Sequence, residues 1–304
     1  MKESFLLNLS KVEKLSRGSK LHRFLNNPYK YVYAIALKEV VYKLTHKEKI
    51  VKCKLFTGMD MHIMLPASTD IFLTGGKSHI SEIRLARFLI QNLIPRSIFW
   101  DIGAHYGYFS LLASSLVTFQ GKVISIEASP TSFSILHLNA TQQNNVEAFH
   151  NAVSDKAKKI SFFELPNIYS EYNSTDLSQY EKESWFNKVE ARRIDIDAFS
   201  IDELYEQQGM VPDIIKIDVE GGEAAVINGS TKLLHATSHK PVLVMEYLTS
   251  HRNNQPHKQA AYTLMQLGYQ PHIIQNDGSL LPAVNIDTYL SENQLVSDNI
   301  VFKK

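Results

Sequence analysis

The sequence predicts an α/β protein: a mostly parallel sheet covered by helices on both faces, preceded by a helical extension. From about residue 79 onward, strand-length apolar segments alternate with helix-length amphipathic segments. Caps and breakers stand where such segments should begin and end. At 304 residues, 44% of them hydrophobic, the chain can build one large α/β core or two small ones.

Residues 1–75 are basic, Tyr-rich and helical in flavour, with no alternation of strand and helix. Within them residues 30–44 read as an amphipathic helix, with Val32, Ile35, Ala36, Val40 and Leu44 near helical spacing. Its expected role is to pack on the main domain. Glu39 between Lys38 and Lys43 makes the polar face too mixed for a lipid anchor. The expected organisation is an extension over residues 1–78 and a main domain over 79–304, with an insert at about 160–197.

Residues 81–94 place Ile83, Ala86, Ile90 and Leu93 on one helical face, closed by Pro95. A strand follows at 97–101, then a glycine-containing turn and an apolar helix through Phe109, Leu112 and Leu116. Residues 122–127 form a second strand. Ser129-Pro130 supplies an N-cap and an N1 proline for the next helix, and residues 146–151 form a third strand. Extra strands at 160–163 and 193–197 flank a polar stretch, 166–188, that carries Tyr169, Tyr172, Tyr180 and Trp185. Ser200-Ile201-Asp202-Glu203 is a capping box opening a short helix that Gly209 ends. Strands at 213–219, 241–247, 269–274 and 299–302 enclose helices at 223–234 and 257–267. A sheet of this kind binds its ligand beyond the carboxyl ends of its strands. Function is therefore expected just after Trp100, Ile126, Asn151, Val219 and Met245.

Composition excludes several classes. Lys plus Arg number 32 and Asp plus Glu 31, so global charge makes no case for nucleic acid or an anionic membrane surface. Cys53 is the single cysteine, which excludes an intrachain disulfide and a cysteine zinc cluster. No apolar run is long enough to span a bilayer, and the first residues are a poor secretory signal. The expectation is a cytoplasmic protein without a transmembrane segment.

Three segments carry chemistry. In Asp101-Ile102-Gly103-Ala104-His105-Tyr106-Gly107-Tyr108 an acid ends the first strand, and Gly103 permits a tight turn and a close approach. The spacing D-x-G-x-x-x-G is not the G-x-G-x-x-G of dinucleotide enzymes, because His105 stands where the second glycine would be. Asp101 would repel an anion and welcome the amino group of a methionine moiety. Glu127 ends the second strand twenty positions beyond Gly107, where an acid accepts both hydroxyls of a ribose. Alone it reads equally well as a solvated strand-end charge. Asn151-Ala152, after the third strand, is placed to meet an adenine edge, although a turn asparagine is an equally good reading. In Lys216-Ile217-Asp218-Val219-Glu220-Gly221-Gly222-Glu223, the first, third and fifth residues point the same way in an extended segment. Asp218 and Glu220 then flank the cleft together. Helix capping by Glu220 and Glu223 is the plainer alternative, equally good for Glu223 and weaker for Asp218, which lies before the helix.

With these segments in hand, the chain resembles the FkbM family of methyltransferases over about residues 80–302. The resembling stretches are 99–110, 123–128, 151–155, 200–204 and, most specifically, 214–223; residues 242–246 and 299–302 fit the same family. Members typically show a K-I-D-V-E-G-x-E run after a D-x-G-A-x-x-G loop, and both are present. The family's loop usually has Asn where this chain has His105. The resemblance implies a Rossmann-like methyltransferase fold with a mostly parallel seven-stranded sheet. It also implies S-adenosylmethionine as donor, held by Asp101, Gly103, Ala104, His105, Gly107, Tyr108, Glu127, Ala128, Asn151 and Ala152. The implied acceptor is a hydroxyl on a sugar, glycan or secondary metabolite.

An alcohol acceptor benefits from a base, for which Asp218, Glu220 and Glu246 rank above His105. The same three acids could instead gather magnesium or manganese and lower the hydroxyl's pKa; base catalysis without a metal is preferred. The rival readings are a nicotinamide oxidoreductase and a non-catalytic protein that binds a glycan or partner through the aromatic insert. The missing glycine and Asp101 weigh against the first. The retained loop and acid run weigh against the second.

Overall fold

The computed structural model describes residues 1–236 and 239–304. The chain opens with helices Lys2–Arg17, Lys20–Asn26 and Pro28–Ala36, the last continuing through a wider π turn at Leu37–Tyr42 and ending at Thr45. Phe5, Leu9 and Val12 recur at helical spacing and seat the first helix in the core. The helix read from residues 30–44 exists, but it packs through Ala34 and Leu37. The stripe expected to face the domain points outward instead: Val32, Val40 and Leu44 are exposed.

The extension is not wholly helical. An antiparallel hairpin joins β1 (Lys49–Lys54) to β2 (Asp60–Leu65). Its signal is local: Val51 and Cys53 alternate with Lys52 and Lys54, and Gly58 takes the left-handed turn at φ 89°. Asn139 of the main domain fastens the hairpin, accepting from His62 N–H at 2.7 Å and donating to its carbonyl at 2.9 Å.

The main sheet contains β3 (Ile98–Ile102), β4 (Lys122–Glu127), β5 (Val146–His150), then, after the three-residue β6 (Ala152–Ser154), β7 (Lys158–Glu164) and β8 (Arg192–Ser200), the strands β9 (Ile214–Ile217), β10 (Val242–Leu248), β11 (Gln270–Ile274), β12 (Leu280–Pro282) and β13 (Ser297–Lys303). Its order is β12-β11-β13-β10-β9-β3-β4-β5. The five strands from β5 to β10 run parallel, and β13, β11 and β12 are antiparallel. This is the Rossmann-like methyltransferase sheet with an eighth, short edge strand added. β6, β8 and β7 form a separate three-stranded sheet that carries the insert.

Successive residues of the central strands face opposite cores. Phe99 and Ile214 face the core that holds the extension and the helices Ile80–Asn92 and Tyr108–Val117. Trp100 and Ile215 face the core built by Ile201–Gln208, Glu223–Asn228 and Gln255–Gln266. The caps stand as expected: Ser129 accepts from Ser132 N–H, and Ser200 and Glu203 form the reciprocal box. The helix expected over 223–234 is two, Glu223–Asn228 and Thr231–Ala236. Gly229 sits between them, where a Cβ would lie 2.3 Å from the Ser154 carbonyl.

Candidate active site

One cavity of about 350 Å³ opens at the carboxyl ends of the parallel strands, a size ordinary for a small-molecule site. Each strand end adds to its wall: Gly103 and His105 after β3, Glu127 and Ala128 at β4, Asn151 and Ala152 after β5, Asp218 and Glu220 after β9, and Glu246 in β10. The insert closes one side with residues 170–173 and Thr175, and the extension contributes Lys77.

Glu127 is buried and already engaged. Its Oε2 accepts from His105 N–H and its Oε1 from Ser129 N–H, both at 2.8 Å. Burial raises its pKa to about 7 against the opposing pull of those two donors. Glu127 lines the cavity, and each of its oxygens has a second lone pair, the acceptor that a ribose hydroxyl requires. Removing Glu127 would also strand two backbone donors, so the residue holds the loop as well as facing the cleft. His105 sits at φ 51°, stacks on Tyr106 with ring centroids 3.7 Å apart, and places Nε2 2.8 Å from Ser170 Oγ. Burial lowers its pKa to about 4, so its ring is neutral near pH 7.

Four residues of the expected cofactor set do not line the cavity: Asp101, Ala104, Gly107 and Tyr108. Asp101 is fully buried, accepts from Ser110 Oγ at 2.6 Å, and ion-pairs with the Lys216 ammonium at 3.4 Å. The two residues are direct register partners on β3 and β9. The lysine that the sequence places beside the acids itself lines the cavity and neutralises Asp101, which does not. Gly107 packs against Leu136, whose methyl lies 2.7 Å from where a Cβ would be. The Tyr108 hydroxyl reaches toward Gly76 of the extension, 3.0 Å from its Cβ direction. Both serve packing between layers.

Asp218, Glu220 and Glu246 do converge: one carboxylate oxygen of each lies within 4.8 Å of the others. Asp218 also meets Lys216 Nζ at 3.2 Å. Burial and then its acidic neighbours raise Glu246 to about 8, and burial with Glu246 and Asp218 holds Glu220 well above the usual carboxylate range. Glu220 reaches the cluster through a left-handed backbone at φ 52°, costing of order 1–3 kcal/mol for a non-glycine residue. The insert holds it there. Ser174 Oγ and Gln179 Nε2 donate to the Glu220 carbonyl, the latter at 3.0 Å, and Tyr180 donates to its carboxylate at 2.5 Å. Glu223 turns away from the cavity, its carboxylate accepting from Gly221 N–H and lying 3.3 Å from His257 Nε2.

Sequence reading missed Lys77, Glu82 and Glu171, which share an ion network on the cavity wall; Lys77 lies 3.0 Å from Glu171 and contacts Glu82. Lys77 and Glu171 are 94 positions apart, and neither stands in a motif. The Tyr180 clamp was equally hidden. The insert's aromatic residues were noted, but Tyr169, Tyr172 and Tyr180 mostly pack around Trp185, with ring centroids 4.6–5.7 Å away.

No curated protein matches the chain significantly. Among solved structures, it is similar to a methyltransferase FkbM from Methylobacillus flagellatus KT, with 16% identity and a TM-score of 0.42, over 78% of this chain and 52% of that one. It thus spans about half of that protein. It is also similar to a precorrin-6y C5,15-methyltransferase from Geobacter metallireducens GS-15, with 15% identity and a TM-score of 0.39, over 73% of this chain and 86% of that one. A third is an O-methyltransferase from Bacillus cereus in complex with SAH, at 14% identity and a TM-score of 0.38, over 72% and 78% of the two chains. The family model described as the methyltransferase FkbM domain matches residues 101–271, more than half of the sequence, and the chain belongs to that family.

Proposed function

We propose that this protein transfers a methyl group from S-adenosylmethionine to a hydroxyl of a sugar, glycan or secondary metabolite, with the Asp218–Glu220–Glu246 cluster receiving the hydroxyl proton. The observation that carries the reading is one cavity with two unlike walls. One wall holds Glu127 and the backbone at Asn151-Ala152, suited to a nucleoside; the other holds three converging carboxylates. Ile126, Ala128 and Phe162 add apolar surface on the first wall, as an adenine needs. The donor set therefore fits the nucleoside cofactor.

S-adenosylmethionine supplies an electrophilic methyl group when bound. The protein's part is to hold the acceptor in line with it and to take the proton as the new carbon–oxygen bond forms. Three carboxylates this close cannot all ionise freely. A group that titrates near 8 is matched to proton transfer near neutral pH. His105, neutral and bonded to Ser170, serves the wall and not the proton.

Binding tests the nucleoside wall. S-adenosylhomocysteine at a hundredfold excess over its dissociation constant should add about 2.7 kcal/mol of stability, whereas NAD and NADP should add none. A melting shift with NAD and none with S-adenosylhomocysteine would replace this reading with a nicotinamide one. Turnover is then assayed as the gain of one CH₂ in acceptor mass.

The pH profile tests the acid wall. A base works only when deprotonated, so turnover should rise with pH through an apparent value near 8, belonging to the coupled cluster. A flat profile from pH 6 to about 9 would remove the cluster from proton transfer. The tight grouping of the three acids also favours a second reading, in which they hold magnesium or manganese. Activity lost with a chelator and restored by either ion would select it.

A further inference from the structure

The outer face of the N-terminal helices has no partner among the described residues. Leu21 and Leu25 are 64% and 67% exposed, Tyr29 90%, Val32 58%, Val40 54% and Leu44 78%. Leu21 and Leu25 lie one turn apart on Lys20–Asn26. Tyr29, Val32, Val40 and Leu44 recur at spacings of three, eight and four along the helix that begins at Pro28, which makes one stripe. Phe24 and Tyr31 hold the two helices together, ring centroids 5.8 Å apart. Scattered apolar side chains are ordinary on a surface, but a stripe shared by two adjoining helices is a contact face.

Charge identifies what it contacts. Residues 1–54 contain thirteen Lys and Arg against four Asp and Glu, while the remaining 250 residues contain 19 against 27. The balanced total conceals a strongly basic end. Lys20 and Lys38 are exposed along the striped helices and Lys47 just past their end. Glu39, which makes the polar face look mixed in sequence, is paired with Lys43 four residues on. A second copy meeting this face with its own would bring together two surfaces of the same strong positive charge.

We propose that the basic, apolar outer face of the two helices spanning Lys20–Asn26 and Pro28–Thr45 docks on an anionic phospholipid membrane surface. The exposed apolar side chains enter the headgroup–acyl boundary, and the lysines lie against the negative headgroups. Each basic side chain near such a surface adds about fivefold to binding at low salt. Among the described residues no helix is long and apolar enough to cross a membrane, so this contact lies in the plane of the surface.

The test is sedimentation of the full chain with vesicles of equal phosphatidylserine and phosphatidylcholine, and with vesicles of phosphatidylcholine alone. Binding is expected to the first and not the second, and it should weaken steadily as salt rises. The exposed-site double variant Val40→Ser/Leu44→Ser should bind at least about tenfold more weakly, with its melting temperature and S-adenosylhomocysteine affinity unchanged. No sedimentation with anionic vesicles at low salt, or equal sedimentation of the double variant, would overturn the proposal. So would a dimer in light scattering that the double variant dissolves, because the face would then join two copies of the chain.

Discussion

Replacing Glu246 with Gln is expected to lower turnover by roughly 10²- to 10⁴-fold without weakening cofactor binding. The substitution keeps shape and removes proton affinity at the group raised to about 8. Asp218→Asn should fall in the same range, and it also releases Lys216, which then retains Asp101 as its partner. Glu220→Gln preserves an acceptor for the Tyr180 hydroxyl, so its effect isolates the loss of charge. Stability separates this account from helix capping. A carboxyl whose folded pKa lies above its unfolded value stabilises the protein fully below the unfolded pKa. That contribution is lost as pH rises through the folded value. Near pH 8 and above, Glu246 therefore opposes folding, and its amide variant should melt at the same temperature or higher. Burial and its acidic neighbours raise Glu220 in the same direction, so Glu220→Gln should not melt lower. Capping predicts the reverse, a lower melting temperature with nearly normal turnover. Near-wild-type turnover in all three variants would leave the acid wall without a catalytic role.

The main sheet was legible because its signals are local. The Ser129 cap and the Ser200–Glu203 box each lie within a few residues of what they control, and they appear where expected. The strand expected over 213–219 stops at Ile217, so Asp218 and Glu220 meet beyond its end and not on one extended segment. The convergence of Asp218, Glu220 and Glu246 was also within reach, since neighbouring parallel strands end together. Other features depend on register or on distant chain. The Asp101–Lys216 ion pair follows from the alignment of β3 with β9, which periodicity does not fix. The clamp on the Glu220 carbonyl comes from residues more than forty positions upstream. The same limit explains the outward stripe of the N-terminal helix. Amphipathic spacing identifies an apolar face, and the face that is buried is settled by neighbours; here Ala34 and Leu37 packed inward instead.

Gly103→Ala is expected to destabilise the unliganded protein by about 3 kcal/mol or more, and Gly103→Val by more than that. Sequence alone suggests that a side chain there would occupy ligand space. The structure places the obstruction within the protein. A Cβ at Gly103 would lie 1.7 Å from the Asp218 carbonyl oxygen and 2.8 Å from its carbon, both backbone atoms. No rotamer relieves such a contact, so one loop must move. Gly103 also holds φ 77°, a region that carries its own cost for any L side chain. Its carbonyl accepts from Lys216 Nζ at 3.2 Å, and Asp218 N–H donates to the Ile102 carbonyl at 3.0 Å. Moving either loop therefore disturbs the lysine and the acid wall together. The variant should lose turnover even with saturating S-adenosylmethionine, and urea unfolding of the apo form should already show the deficit. If the apo form of Gly103→Ala is as stable as the parent and only cofactor affinity falls, the contact with Asp218 is not what reserves this position for glycine.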